Sequence, residues 1–212
     1  MLIPGKAFKV EKLAAREATR YAMGGVLVER GADGKARLVA TDGRRLGIVT
    51  WHEEEPGEFP AIDGLASARG GAMRAIIPIA DAAALAKAKA PKSKPILANV
   101  LMDEASVNGK AEFATTDLER VSRTSSRTID GEFPAFDRPN AGVIPTGEPV
   151  VTITVNPALL AELLMVAEAI ACPSDLPAVR LSIYGDNVPM RVDAEANGVS
   201  FMGLLMPITA EG

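Results

Sequence analysis

Two stretches of this sequence match one another at half of their positions. GKARLVATDGRR at 34–45 and GKAEFATTDLER at 109–120 share Gly, Lys, Ala, Thr, Asp and Arg at a constant offset of 75 residues. IIPIADAAAL at 76–85 and ITVNPALLAEL at 153–163 each place an extended apolar run before a proline-marked helix start. The chain therefore reads as about three copies of one half-domain. Such units leave strand edges open unless they join neighbours in a sheet, so the repetition implies pairing within or between chains.

Composition sets the class of molecule. With 212 residues, 48% of them hydrophobic and 24% charged, the chain can bury a substantial core as one large domain or two small ones. Aromatic residues are only 4%, which weakens any reading that needs stacking platforms for single strands or sugars. A single Cys, Cys172, excludes an intrachain disulfide and suits a reducing cytoplasm; a single His, His52, excludes zinc sites of the usual Cys/His composition. The sequence suggests no metal and no cofactor. MLIPGKAFKVEKL has no apolar run of signal-peptide length, and the most apolar stretch, 157–173, is interrupted by Glu162 and Glu168, so no membrane segment is expected. A net charge of -4 argues against a uniformly basic coat but not against a local basic surface.

Alternation and turn residues divide the chain into three blocks. The first holds a polar stretch of weak helical period, then two strands, 25–30 and a run through Val39, around an Asp-Gly turn. The second holds a strand at 75–78, a helix over ADAAALAKAKA that Pro91 stops, and strands at 96–102, 111–115 and 120–128. In the third, Val151, Ile153 and Val155 alternate as a strand, Asn156-Pro157 starts a helix carried by LLAELLMVAEAI, and strands follow at 179–184, 189–193 and 199–206. EEEPGEFPAIDGLASARGGA and DRPNAGVIPTGEP read as linkers. The expected fold class is α+β, built from β-α-β-β-β half-units: a two-half-unit domain over 1–136, a linker over 137–149, and a single half-unit over 150–212.

ATDGRRL at 40–46, IDGEFPAF at 129–136 and GLLMP at 203–207 resemble, in order, three signatures of the bacterial DNA polymerase III beta subunit, the sliding clamp. RYAMGGVLVE at 20–29 and IIPIADAAALAK at 76–87 resemble the strand before the first signature and the strand and helix between the first two. The resemblance covers most of the chain from Arg20 onward. It implies a DNA-clamp fold in shortened form, with the family's middle domain joined to the second half of its last one. Only 19 residues precede Arg20 where the family fits a strand and a full helix, so a truncated or rearranged helix is expected near 9–17.

The resemblance further implies a processivity factor that performs no bond chemistry, encircles duplex DNA as a homo-oligomeric ring, and tethers a DNA polymerase and a clamp loader through a peptide pocket. Twelve half-units per ring at three per chain would mean a tetramer, or another multiple of a dimer formed between third half-units. Weak attraction to phosphates by scattered Lys and Arg would suffice to hold DNA. Lys9, Lys12, Arg16 and Arg20, spaced three, four and four, make one basic stripe if helical, and Lys87, Lys89, Lys92 and Lys94 make a second cluster. Both also read as ordinary solvated faces. The helix from Ala158 carries Glu162 and Glu168 and no basic residue, which objects to a phosphate-facing role.

Positions matching the family's peptide pocket are Met23, Thr41, Gly43, Arg45, Leu46, Pro134, Arg138, Leu205, Met206 and Pro207. Apolar and flexible Met side chains suit varied Leu or Phe anchors, and Arg at the rim suits acidic or carbonyl groups. Taken singly, 41–43 also reads as a turn, and Met206-Pro207 as a strand end. The pocket reading expects Leu205→Ala to weaken peptide binding with folding nearly intact. Arg44 stands where the family commonly has His, and TAEG replaces its short tail.

A protein-interaction module that binds partner peptides without encircling DNA is the alternative. A hydrolase using Asp42 or Cys172 is remote, because no base, metal set or oxyanion motif accompanies either residue. GADG and GRR lack phosphate-loop spacing, and Cys172 beside Pro173 reads as a buried thiol.

Overall fold

A computed structural model describes residues 1–17, 21–31, 33–52, 59–65, 72–88, 94–103, 109–137, 144–145, 148–171, 178–196 and 199–208. They fall into two units, Met1–Gly142 and Val143–Gly212.

In the first unit, strand β1 (Leu2–Pro4) runs into a 3₁₀ helix, Gly5–Leu13. Its lysines recur every third residue, as turns of this tighter coil do: Lys6, Lys9 and Lys12 stay exposed, while Ala7, Phe8 and Val10 are buried and Leu13 partly so. The helix expected near 9–17 is thus displaced. It starts four residues earlier, and the chain from Ala14, where the cap is extended, leaves the helical path. Strands β2 (Gly25–Arg30) and β3 (Lys35–Thr41) flank the Asp-Gly turn, where Gly34 takes φ +75° and Asp33 accepts the Lys35 N–H at 3.1 Å. Strand β4 (Leu46–His52), not expected from the sequence, continues the meander. Strand β5 (Met73–Pro78) leads into helix α1 (Ile79–Leu85), which ends before the Lys-rich segment expected to extend it. Of the run expected as strand at 96–102, the first part is a 3₁₀ turn, Pro95–Ala98, and only β6 (Asn99–Met102) joins a sheet. Strands β7 (Lys110–Thr116) and β8 (Val121–Arg127) complete the repeat.

The sheet orders are β4-β3-β2-β5 and β1-β6-β7-β8, each antiparallel throughout. The two half-units therefore trade strands: β5 leads into α1 but pairs with β2, and β1 leads into the 3₁₀ helix but pairs with β6. Between the sheets and the two helices lies one shared core that includes Phe8, Val28, Leu38, Ile77, Leu85, Met102 and Phe113. On the outer face of the first sheet, Phe133 and Phe136 cover Leu27, Val39 and Ile76.

The second unit has one helix among its described residues, α2 (Pro157–Ala171), and one sheet, β11-β10-β9, from β9 (Arg180–Ser182), β10 (Met190–Ala196) and β11 (Val199–Leu205). Asn156 caps α2 by accepting the Ala158 N–H at 2.9 Å, with Pro157 in the first helical position. Leu160, Leu163, Leu164 and Ala167 pack on Met190, Val192 and Leu205. Residues 151–155, expected as a strand, take no place in any sheet among the described residues, although Ile153 and Val155 touch this core.

Candidate functional site

The β3–β4 turn of the first unit is held by a dense set of hydrogen bonds. The Thr41 hydroxyl donates to the Arg45 carbonyl at 2.7 Å and accepts the Gly43 N–H at 3.0 Å. One Asp42 oxygen accepts the N–H groups of Arg44 and Arg45 at 2.9 and 2.8 Å, and the other takes the Arg45 guanidinium at 3.0 and 2.8 Å. The Arg44 N–H, then the Arg45 N–H and guanidinium, hold the Asp42 carboxyl far below the usual carboxylate range. Stability from this charge is present above about pH 4 and is lost as the pH falls below it. An Asp42→Asn variant should therefore melt below the parent at pH 7, with the gap closing as both are acidified towards pH 2.

The same turn recurs in the second copy. Thr116 accepts the Leu118 N–H at 3.0 Å, and Asp117 accepts those of Arg120 and Glu119 at 2.7 and 3.0 Å. Gly43 and Leu118 occupy matching positions at φ +84° and +80°. Recurrence at a second position makes Thr41 and Asp42 builders of the hairpin first. Leu118→Gly should raise stability by about 0.5 kcal/mol, since the left-handed backbone costs a branched residue more than glycine loses in flexibility. Denaturant midpoints would read the change.

Around this turn the structure gathers several residues of the expected pocket. A cleft of about 210 Å³ is lined by Ala14, Ala15, Arg16, Glu17, Asp42, Arg44 and Arg45. Met23 is tied to it, its carbonyl accepting the Ala15 N–H at 2.9 Å. Leu46 is half-buried against the Phe133 and Phe136 cluster, which also holds Ala22, and Pro134 follows Phe133 in the same strap. The strap is fastened by Arg37, which bonds Glu29 at 3.0 Å and Asp137 at 2.5 Å and lies 4.9 Å over the Phe136 ring. The IDGEFPAF signature thus has a packing reason: Phe133 and Phe136 are 1% and 5% exposed.

In the second unit, Met206 is exposed, while Leu205 and Pro207 are buried. Leu205 faces α2 in the core, so Leu205→Ala is a folding change and not the mild probe expected of a pocket wall. It should cost that unit about 2–3 kcal/mol, measurable by thermal unfolding. Arg138 and Cys172 lie outside the described residues.

The basic residues sort differently from the expected stripes. Lys9 and Lys12 share one exposed row with Lys6, which lies ahead of the expected helix start. Arg16 is not on that row; it lines the cleft beside Arg45. The 3₁₀ helix packs on α1, and a Cβ at Gly5 would come within 2.9 Å of the Ala88 Cβ. Lys6 and Lys87 therefore lie at one junction between two helices. Lys87 also borders a cleft of about 460 Å³ with Thr115, Arg120, Ser122 and Thr124. Lys94 is exposed, whereas Arg20, Lys89 and Lys92 lie outside the described residues. On α2, Glu162 and Glu168 are exposed beside Leu159, Met165 and Val166.

Solved structures match this fold across the whole chain. The sliding clamp of Pseudomonas aeruginosa with ligand matches 100% of the chain at TM-score 0.68 and 18% identity. The DNA polymerase III beta chain of Streptococcus pneumoniae matches 99% at TM-score 0.69 and 18% identity. The chain has the sliding-clamp fold. A clamp from Bartonella birtlesii bound to griselimycin matches 100% at TM-score 0.67 and 22% identity. The matches cover 51%, 49% and 51% of those clamp chains, so the chain spans about half the length of a clamp. No family model and no curated protein matches the sequence. No helix of the described residues is long and apolar enough to cross a membrane.

Proposed function

We propose that the protein is a sliding-clamp-like processivity factor: a homo-oligomeric ring that holds duplex DNA and tethers a DNA polymerase, loaded with or without a clamp loader. At three half-units per chain the ring is a tetramer, or another multiple of a dimer. The role needs no catalytic residue and belongs in the cytoplasm with the nucleoid. The observation that carries this reading is the row of Lys6, Lys9 and Lys12 on a clamp-type helical layer, next to Lys87. A line of exposed ammonium groups binds phosphates without reading sequence and lets them exchange. The cleft formed by Arg16, Arg44 and Arg45, with Met23, Leu46 and Pro134 nearby, is the first unit's contribution to partner peptides. Met206 is the exposed candidate on the second.

The deciding experiment is retention on nicked circular DNA. A ring stays on the circle through a gel-filtration column and slides off after linearisation; a protein lost equally from both forms is not a ring.

One observation favours a second reading, an interaction module that does not encircle DNA. Val143–Gly212 carries only Arg180 and Arg191 against eight acidic residues, net -6, leaving 21 basic against 19 acidic, net +2, in Met1–Gly142. Its helix presents Glu162 and Glu168 to solvent. Peptide binding without retention on circles would select this module.

A further inference from the structure

The first unit shows how two of these half-units complete one another, and the second unit holds the same parts with that completion missing. In the first, the residue three positions before each helix sits opposite the strand of the other half: Ile76 opposite Leu27, and Leu2 opposite Leu101. In the second, Thr154 stands three positions before α2. The chain after the last strand returns to it in the same manner: Ile208 N–H donates to the Thr154 carbonyl at 2.7 Å, as Ile129 N–H does to Ile76 at 2.9 Å. Strand β9 corresponds to β2 and β6, yet no fourth strand lies along it among the described residues, and 151–155 lies in no sheet. An open edge and an unused strand are thus present on one unit.

Side-chain burial gives the same answer. Val28 pairs with Leu38, Met102 with Phe113 and Leu181 with Val192, so the three are equivalent inward positions. Val28 and Met102 are 0% and 1% exposed, but Leu181 is 48% exposed, with Val151 at 49% and Ile183 at 42% beside it in the pattern. An apolar residue on the helix-facing side of a sheet is thus left half bare, where the first unit buries its counterparts.

We propose that Val143–Gly212 pairs with the same unit of a second copy by strand exchange. Residues 151–155 of each chain add antiparallel to the β9 edge of the other. Carrying the first unit's register across sets Thr152 opposite Ser182, Ile153 opposite Leu181 and Thr154 opposite Arg180. The occupant is a second copy because one surface supplies both the strand and the edge, as a two-fold contact requires. Residues 150–156 are uncharged and 178–184 carry only Arg180, so the unit's net -6 places no repelling carboxylates in the new ladder. This deepens the oligomeric part of the proposed function and does not depend on DNA.

Light scattering of the full chain at micromolar concentration should give an even number of protomers. Leu181→Glu, already half exposed in the single chain and buried twice per dimer, should weaken association at least about 100-fold. With Cys172→Ser as background, Thr152→Cys/Ser182→Cys should form a disulfide-linked dimer on oxidation, and neither single cysteine should, because only the cross-strand pair comes within bonding range. A monomer, or an oligomer that tolerates Leu181→Glu and does not cross-link in the double variant, overturns the proposal. If circular dichroism shows Leu181→Glu unfolded, the cysteine pair decides alone. A dimer that is not retained on nicked circles overturns the clamp reading and leaves the strand exchange standing.

Discussion

Replacing Phe8 with alanine is expected to destabilise Met1–Gly142 by about 3–5 kcal/mol, more than any other single truncation named above. Phe8 is the 3₁₀ helix's main anchor. It is 0% exposed and meets Phe113 of β7, also 0% exposed, edge to face with ring centres 6.1 Å apart. The pair joins the helix of one half-unit to the middle strand of the other, so its loss opens a cavity where both halves meet. Phe113→Ala should cost a similar amount. A double-mutant cycle should return a coupling of about 1 kcal/mol, the edge-to-face share beyond plain burial. Trp51, the only tryptophan, donates from its ring to the Leu2 carbonyl at 3.2 Å and so reports on this unit in denaturant titrations. A loss under about 1 kcal/mol for Phe8→Ala would mean that the 3₁₀ helix does not dock as described.

The second large effect is on DNA. Converting Lys6, Lys9 and Lys12 together to alanine should lower affinity for duplex DNA at least about tenfold near physiological salt. It should also reduce the slope of log affinity against log salt by up to about 2.7, about 0.9 for each phosphate no longer neutralised. All three side chains are exposed, so the fold should survive. The slope is the informative quantity, because a mere loss of folded protein lowers affinity without changing it. Lys6→Ala alone should reduce it by about 0.9, which separates the period-three row from a stripe of Lys9, Lys12 and Arg16. An unchanged slope would remove the row from the DNA-facing surface.

Much of the fold is legible in the sequence because hairpins and helix caps are local signals. The Asp-Gly turn and the Asn156-Pro157 start of α2 each announce themselves within a few residues, and the match at an offset of 75 marks the second copy of the hairpin. Strand β1 does not, because three residues carry too little pattern and its partner Leu101 is far away in the chain. Strand β4 is readable in principle from LGIVTWH, whose residues alternate between half-buried and exposed, but the turn before it carries the stronger local signal. The 3₁₀ helix falls earlier than expected because its start carries no capping signal: Pro4 precedes it without a side-chain cap. Lys6 joins the basic row because the helix begins at Gly5, ahead of the expected start at Lys9. For the pocket, motif resemblance points to Leu205 and Thr41 without distinguishing walls from foundations: one is core, the other holds a hairpin that occurs twice. Arg16 joins Arg45 only through the path of the chain after Leu13, which no spacing rule encodes.

The pairing of β1 with β6 also bears on how the first unit comes into being. Leu2 must wait for Leu101 before its strand has a place, and the 3₁₀ helix, the whole first sheet and α1 all lie between them in the chain. Closing so long a loop is slow compared with forming the β2–β3 hairpin, whose strands are only a turn apart. During synthesis the 3₁₀ helix leaves the ribosome with Phe8 still waiting for Phe113, until the second half-unit follows. The first half-unit is therefore the vulnerable stage of biogenesis, and pulse proteolysis of nascent chains should find its protection arriving only once β7 has emerged.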